Sequence, residues 1–300
     1  QSNWGEAFTS RYPQSRVGVE TVIRDAFQAA KEYKASWEAY DDLSSSEQKR
    51  VAPPRVDYRL QTLVEILDKK RFIHTHSYVA SEILMLIHLA DEMGFKVTTF
   101  THILEGYKVA DEMKAHGASA STFADWWAYK MEVQDAIPTN ACIMASRGLV
   151  VSVNSDDAGL QRLLNQEAAK SVAYCGMSEE DALKMVTLNP AIQLKIDDKV
   201  GSVVEGKQAD FVLWSGHPLS VYSKSVQTWI EGIPYYDAKR DLVAQQQIGV
   251  ERQLLIQKVL GATDEEKAGS GGGYKKPDPL WQCETDGDVF KNRLNLQHQH

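Results

Sequence analysis

Three short runs end in side chains that could hold a metal ion or move a proton. They are Arg71-Phe-Ile-His-Thr-His76, Thr99-Phe-Thr-His102 and Val151-Ser-Val-Asn-Ser-Asp156. Neutral imidazole nitrogen and carboxylate oxygen are the ligands of a catalytic Zn²⁺ or a similar divalent ion. Each run is rich in β-branched or aromatic residues and reads as a strand. Alternate side chains of a strand share a face, so His74 and His76 point the same way. In a parallel barrel the reacting groups come from the C-terminal ends of several strands. The three runs therefore read as part of a metal site at the mouth of a β/α barrel.

Those strands need partners to hold them, and the chain supplies an alternation. Residues 19–50 have helical periodicity, with Val19, Ile23, Ala26, Phe27, Ala30 and Tyr33 on one stripe. Val51-Ala-Pro-Pro-Arg55 breaks that helix, and a short one follows with Leu60, Leu63, Ile66 and Leu67 on its apolar face. Phe72–His76 is a strand, and Ser77–Met93 is a helix stopped by Gly94. Strands over Lys96–Thr101, Ala118–Phe123 and Leu149–Asn154 alternate with helices over Tyr107–His116 and Thr139–Arg147. Helices at about 158–175 and 178–187 follow, the second opened by Ser178 with Asp181 three residues on. This order predicts βαβ units, a parallel sheet and right-handed connections.

After Asn189-Pro190 the pattern changes. Val200-Gly-Ser-Val-Val-Glu-Gly-Lys207 reads as a turn between short strands. Ala209–Trp214 and Val226–Ile230 are β-rich, and Glu231-Gly232 is a turn. Residues 241–260 return to helix, and 264–280 are rich in Gly, Ser, Lys and Pro. The predicted division is 1–195 for the barrel portion, 196–240 for a small antiparallel β portion, and 241–300 for a helical and flexible tail.

Composition narrows the function. A net charge of −8 without a basic stripe argues against a nucleic-acid partner. No apolar run reaches the length of a transmembrane helix, so no membrane partner is expected. Three cysteines, Cys142, Cys175 and Cys283, form neither a disulfide framework nor a CxxC motif. Cys142 and Cys175 read as small core residues.

The residues now match a known family. The chain resembles the amidohydrolase superfamily, in its imidazolonepropionase-related branch of metal-dependent hydrolases. Val200-Gly-Ser-Val-Val-Glu-Gly-Lys-Gln-Ala-Asp-Phe-Val-Leu213 is similar to the family's C-terminal V-G-S-x-x-x-G-K-x-A-D signature. Trp229-Ile-Glu-Gly232 is similar to its returning sandwich strand. The resemblance implies an α/β fold, a (β/α)8 TIM-type barrel with a small β-sandwich. It implies that His74 and His102 are metal ligands at the ends of barrel strands 5 and 6. Asp156 would be the strand 8 carboxylate that binds metal and takes a proton from the attacking water. His76 would serve substrate or the surroundings of the metal, and Asp157 would be structural. The implied cofactor is a divalent metal, Zn²⁺ first. The implied reaction is hydrolysis of a carbon–nitrogen bond in an amide, cyclic amide or amidine. A dipeptidase or prolidase-like specificity is the nearest alternative.

One departure is large. The family's strand 1 His-x-His and its strand 4 bridging residue are not found before residue 70. His74-Thr-His76 is not that strand 1 motif, because His102 follows about 28 residues on and Asp156 about 54 after that. A full barrel needs about 200 residues or more between strands 1 and 8. The chain is thus expected to be a C-terminal half, carrying strands 5–8. Two open sheet edges would then call for an N-terminal half or a second copy as partner. Otherwise the chain would be a non-catalytic fragment.

Other candidates carry less. His88 sits mid-helix and reads as structural, and His116, His217, His298 and His300 have no spacing signal. Phe123, Trp126, Trp127 and Tyr129 could line a pocket for a ring-shaped substrate, although a packed loop is the simpler reading. Arg16 and Arg55 are weaker candidates for a clamp on a substrate carboxylate.

Overall fold

In the computed structural model, residues 12–13, 17–128 and 130–262 are described. Their backbone forms helices α1 (Val17–Asp41), α2 (Ser45–Gln48) and α3 (Tyr58–Leu67), then strand β1 (Ile73–His76). Next come α4 (Ala80–Met93), β2 (Val97–Thr101), α5 (Ala110–His116), β3 (Ser119–Thr122), α6 (Asn140–Ser146) and β4 (Val151–Val153). Helices α7 (Leu164–Cys175), α8 (Glu179–Lys184) and α9 (Leu188–Leu194) complete this region. Strands β5 (Phe211–Trp214), β6 (Ser225–Ile230) and β7 (Ile233–Asp237) and helix α10 (Ala238–Gly261) end it.

The described residues divide into two compact units. The first holds residues up to 207 together with 218–221; the second holds 208–217 and 222 onward. In the first unit, β1-β2-β3-β4 form one parallel sheet in chain order. This is the sheet that the alternation predicts. Thr75, Phe100, Ala120 and Val151 form one cross-strand row. Phe100, Ala120 and Val151 are buried in a core with Ile83, Leu86 and Leu89 of α4, Met113 of α5 and Met144 of α6. Phe27 of α1 stacks on Phe95, with ring centroids 4.0 Å apart, and extends the core outward. Each of the larger side chains contributes about 1.5–3 kcal/mol on burial.

The neighbouring row is polar. His76, Thr101, Ser121 and Ser152 lie side by side across the same sheet. Ser152 donates from its hydroxyl to Gln193 Oε1 at 2.7 Å. Gln193 Nε2 in turn donates to the Ala120 and Val150 carbonyls at 2.8 and 3.2 Å. Asn189 Nδ2 donates to Val151 O at 2.7 Å, and the Val153 N–H donates to Met185 O at 3.1 Å. The β4 edge, expected to be open, is therefore partly met by α9 and the turn before it.

Several boundaries differ from expectation, each for a local reason. The first helix ends at Asp41 because Ser44 and Glu47 form a capping box that starts a new turn. Residues 160–163 are a 3₁₀ turn, so α7 begins only at Leu164. The change placed at Asn189-Pro190 is instead the first turn of α9, where proline's missing N–H costs nothing. The expected start of α8 holds, since Ser178 Oγ accepts from the Asp181 N–H at 3.1 Å. No strand forms over residues 200–207. Cys142 and Cys175 are joined as a disulfide rather than packed as separate core thiols, and Cys175 is exposed.

In the second unit, β5-β6-β7 form an antiparallel sheet. Phe211 and Trp229 are cross-strand partners, with rings stacked at 5.6 Å. Strand β7 was not foreseen. Glu231 (φ 50°) and Gly232 (φ 76°) make the two-residue turn with positive φ at both positions that suits a hairpin. Pro234 lies in β7, a terminal strand of the sheet, where its missing donor is tolerated. Asp237 then caps α10, accepting from the Lys239 and Arg240 N–H groups. The expectation for 264–280 lies outside the described residues.

Candidate functional site

Two residues anchor the site, and both hold the left-handed backbone that non-glycine residues seldom adopt. His102, directly after β2, has φ 62°, and Asp156, three residues past β4, has φ 47°. His and Asp tolerate this region better than most, and such outliers concentrate where function over-determines the chain. At His102 the turn is held by the Leu104 N–H on His102 O (2.9 Å) and the Ile103 N–H on Ser121 O (3.3 Å). Past β4, the Asn154 N–H donates to Thr122 O at 3.0 Å, and Asn154 Nδ2 donates to Ser121 Oγ at 2.7 Å. Asp157 Oδ1 accepts from the Gly159 and Leu160 N–H groups and so fixes the next turn, the structural role expected of it.

The turns after β1 and β2 are tied together as well. Glu105 is buried, accepts the Ala80 N–H at the start of α4 (2.9 Å), and its own N–H reaches Tyr78 O. Asn140 stands behind the β2 turn. It donates to Ile103 O (2.8 Å) and Thr122 Oγ1 (3.0 Å), and it accepts the Tyr107 N–H (2.9 Å). Lys170 of α7 pairs with Asp125 at 2.6 Å and with buried Glu167 at 2.7 Å, which pins the loop after β3.

These supports bring three of the four candidates together. His102 Nε2 lies 3.8 Å from Asp156 Oδ2, beyond hydrogen-bond reach. The His76 and His102 rings have centroids 4.2 Å apart. His74 shares the His76 face of β1 but is exposed, with no contact to His102 or Asp156 among the described residues; desolvation and then the Lys195 charge lower it. Among the described residues, no three His, Cys, Asp or Glu side chains close around one point as a complete metal cage.

Burial dominates the electrostatics. The His102 imidazole is pushed down to about 3, first by burial and then by repulsion from His76 and Lys130. His76 is lowered by burial, which the Asp156 charge opposes in part. The Asp156 carboxyl is raised by burial, with the His76 and Lys130 charges pulling the other way. His102 is therefore neutral at ordinary pH, with a lone pair available. Its Nδ1 is buried without a hydrogen-bond partner. Two neutral imidazoles and a carboxylate, one ring nitrogen unpaired, fit part of a nitrogen–oxygen donor set for a divalent ion. They do not fill one.

The aromatic cluster divides. Phe123 is buried and stacks between His102 (4.8 Å) and Trp126 (4.7 Å). Trp127 is exposed and leans toward Tyr174. Tyr129 and Arg16 lie outside the described residues, and Arg55 is exposed in the segment before α3. Two neighbours were missed. Tyr78 stacks on His102 at 5.8 Å, and Lys130 Nζ lies 4.0 Å over the Tyr78 ring. Tyr78 could have been found from the sequence, two residues after His76 at a strand end. Nothing local marks Lys130.

Comparison with known proteins gives a consistent picture. A model of the amidohydrolase family matches residues 68–239, more than half of the chain. The amidohydrolase tasK of Hapsidospora irregularis is 25% identical over 234 residues, covering 75% of this chain and 24% of that protein. The imidazolonepropionase of Picrophilus torridus is 28% identical over 147 residues, or 45% of this chain and 36% of that one. A solved amidohydrolase structure from Thermotoga maritima superposes with a TM-score of 0.67 at 28% identity, covering 75% of this chain and 57% of its own. The chain thus spans less than two thirds of each of these relatives.

Proposed function

Because the chain belongs to the amidohydrolase family, we propose that it supplies the C-terminal half of a metal-dependent hydrolase acting on carbon–nitrogen bonds. The observation that carries this reading is the meeting of His76, His102 and Asp156 at the C-terminal ends of parallel strands. Reacting groups of parallel barrels occupy that position. The four-stranded sheet would be strands 5–8 of a (β/α)8 barrel. The antiparallel unit would be part of a small sandwich completed by the remainder of the protein. An N-terminal half, on the same polypeptide or another, would bring the missing donors.

A bound divalent ion, Zn²⁺ first, would activate water and polarise the scissile carbonyl. His102 and Asp156 would hold it, with His74 or His76 as the β1 donor. The Asp156 carboxylate accepts a proton from the attacking water and returns it to the leaving nitrogen. Burial, which raises Asp156, makes it a stronger base for the first of these transfers. Phe123 and Tyr78 stack on the His102 ring, and Trp126 backs Phe123. The substrate is a small amide or peptide-like molecule.

The test is zinc content by plasma mass spectrometry, on the chain alone and with its N-terminal half, beside His102→Ala. Assay against a panel of amides, cyclic amides and dipeptides accompanies it. About one ion per completed site, lost in the variant together with hydrolysis, is the expected result. A completed barrel that binds no metal and hydrolyses nothing would make this a non-catalytic family member.

A further inference from the structure

Cys142 and Cys175 lie far along the chain from each other, with a separation of 33 residues, yet they meet. The segment between them contains β4, Asp156 and the turn set by Asp157. We propose that this pair is a reversible thiol–disulfide site whose cross-link tethers the segment presenting Asp156.

Three observations support it. Both sulfurs face the same backbone oxygen, Ser171 O, at 3.6 Å from Cys142 and 3.0 Å from Cys175, so helices α6 and α7 present them to one point. Cys175 is exposed at the last residue of α7, where the chain leaves the helix at Gly176. The pair also lines an open cleft of about 490 Å³ at the start of β4, with Leu149, Met177, Asp181 and Lys184. That cleft lies at the end of β4 opposite Asp156, so a small thiol reaches the sulfurs without entering the candidate active site.

The chemistry balances with a low-molecular-weight disulfide such as oxidised glutathione as oxidant. The Cys175 thiolate attacks one sulfur of that disulfide and expels a first small thiolate. The Cys142 thiolate then attacks the Cys175 sulfur of the mixed disulfide and expels the second. The two protons lost by the cysteines go to the two small thiols released. An excess of small thiol runs the sequence backwards.

Cross-linking closes a loop around β4 and removes conformations in which that loop opens. Reduction restores them, leaving the segment held by the bonds of Asn154 to Thr122 and Ser121 and by the Lys170–Asp125 pair. The inference rests on the proposed function only in giving Asp156 its proton-transfer role.

The experiment is hydrogen exchange with peptide mapping on the whole chain, equilibrated in oxidised or reduced glutathione, beside thiol alkylation. The expected result is a Cys142–Cys175 linked peptide under oxidation and two added alkyl groups after reduction. Amide exchange over 151–163 should then quicken about tenfold, while β1 stays unchanged. A Cys142→Ser/Cys175→Ser variant should show the fast rate in both buffers. Should that variant fail to fold, the two states of the native chain decide the matter. Both thiols alkylating freely in oxidised glutathione would overturn the proposal. So would a cross-link whose reduction leaves exchange over 151–163 unaltered. Neither readout needs metal or turnover, so failure here is separate from failure of the hydrolase reading.

Discussion

The two faces of the four-stranded sheet are adjacent rows of one backbone, yet they have opposite chemistry. Phe100, Ala120 and Val151 pack into the helices, while His76, Thr101, Ser121 and Ser152 stand on the other side. One row gains stability from burial. The other spends it, holding a buried imidazole with an unpaired nitrogen and two residues at positive φ. The alternation of a strand separates these tasks at no cost in chain length. Changes on one face should therefore move stability, and changes on the other should move chemistry.

Asp156→Asn is the sharpest test of that division. In the assembly that shows hydrolysis, loss of proton transfer should lower kcat by about 10²–10⁴-fold, or roughly 3–5 kcal/mol of barrier. The variant's unfolding midpoint should match the parent's, since Asn keeps the size of a side chain whose carboxyl is disfavoured by burial. An equal drop in midpoint would show that the polar face is structural after all. Phe100→Ala is the mirror experiment. Phe100 is fully buried, so the cavity should cost about 3–5 kcal/mol in denaturant unfolding. Turnover per folded molecule should survive.

How far the sequence reveals this arrangement depends on the range of each interaction. The alternation of strands and helices is a local, periodic signal, and the parallel sheet follows it closely. The helix stop at Gly94 was equally visible, and Gly94 has positive φ, as does Gly117 after α5. His102 and Asp156 were visible because each ends an apolar strand. Which β1 histidine joins them was not, because His74 and His76 share a face and differ only in height along the strand. Gln193, Asn189 and Lys130 were invisible for another reason. Each reaches a partner dozens of residues away, and no pattern in its own neighbourhood records that partner. The Cys142–Cys175 pair escaped in the same way. Its two cysteines are 33 residues apart and sit on different helices.

Asn140 sits where the two faces meet, and it should blur the division. Its amide supports the turn at His102 through Ile103 O and Tyr107 N, yet it belongs to α6 on the helix side. Asn140→Ala leaves a buried N–H and carbonyl unpaired, so unfolding should become easier by about 1–3 kcal/mol. Zinc affinity of the completed site should fall as well. Loss of stability with unchanged zinc affinity would mean that the His102 turn needs no support from behind.

The smallest effect comes from a polar residue set deep on the helix side. His116 is buried; its Nε2 accepts the Val97 N–H at 3.1 Å, and its Nδ1 faces Asp91 at 2.9 Å. Nε2 must stay unprotonated to keep the Val97 bond, so the neutral form is the folded form. Burial first, and then Lys96, hold His116 below its usual value, against the pull of Asp91. A histidine lowered on folding binds fewer protons folded than unfolded. Its contribution is therefore complete above about pH 6.5 and is lost as pH falls below it. His74, His76 and His102 are lowered too, so the parent's decline in acid is a sum. The contribution of His116 is isolated by the difference between the parent and His116→Gln. Melting temperatures measured from pH 8 to pH 5 should show that gap narrowing as the parent loses its advantage. A gap independent of pH would mean that His116 binds its proton equally well in the folded and unfolded states.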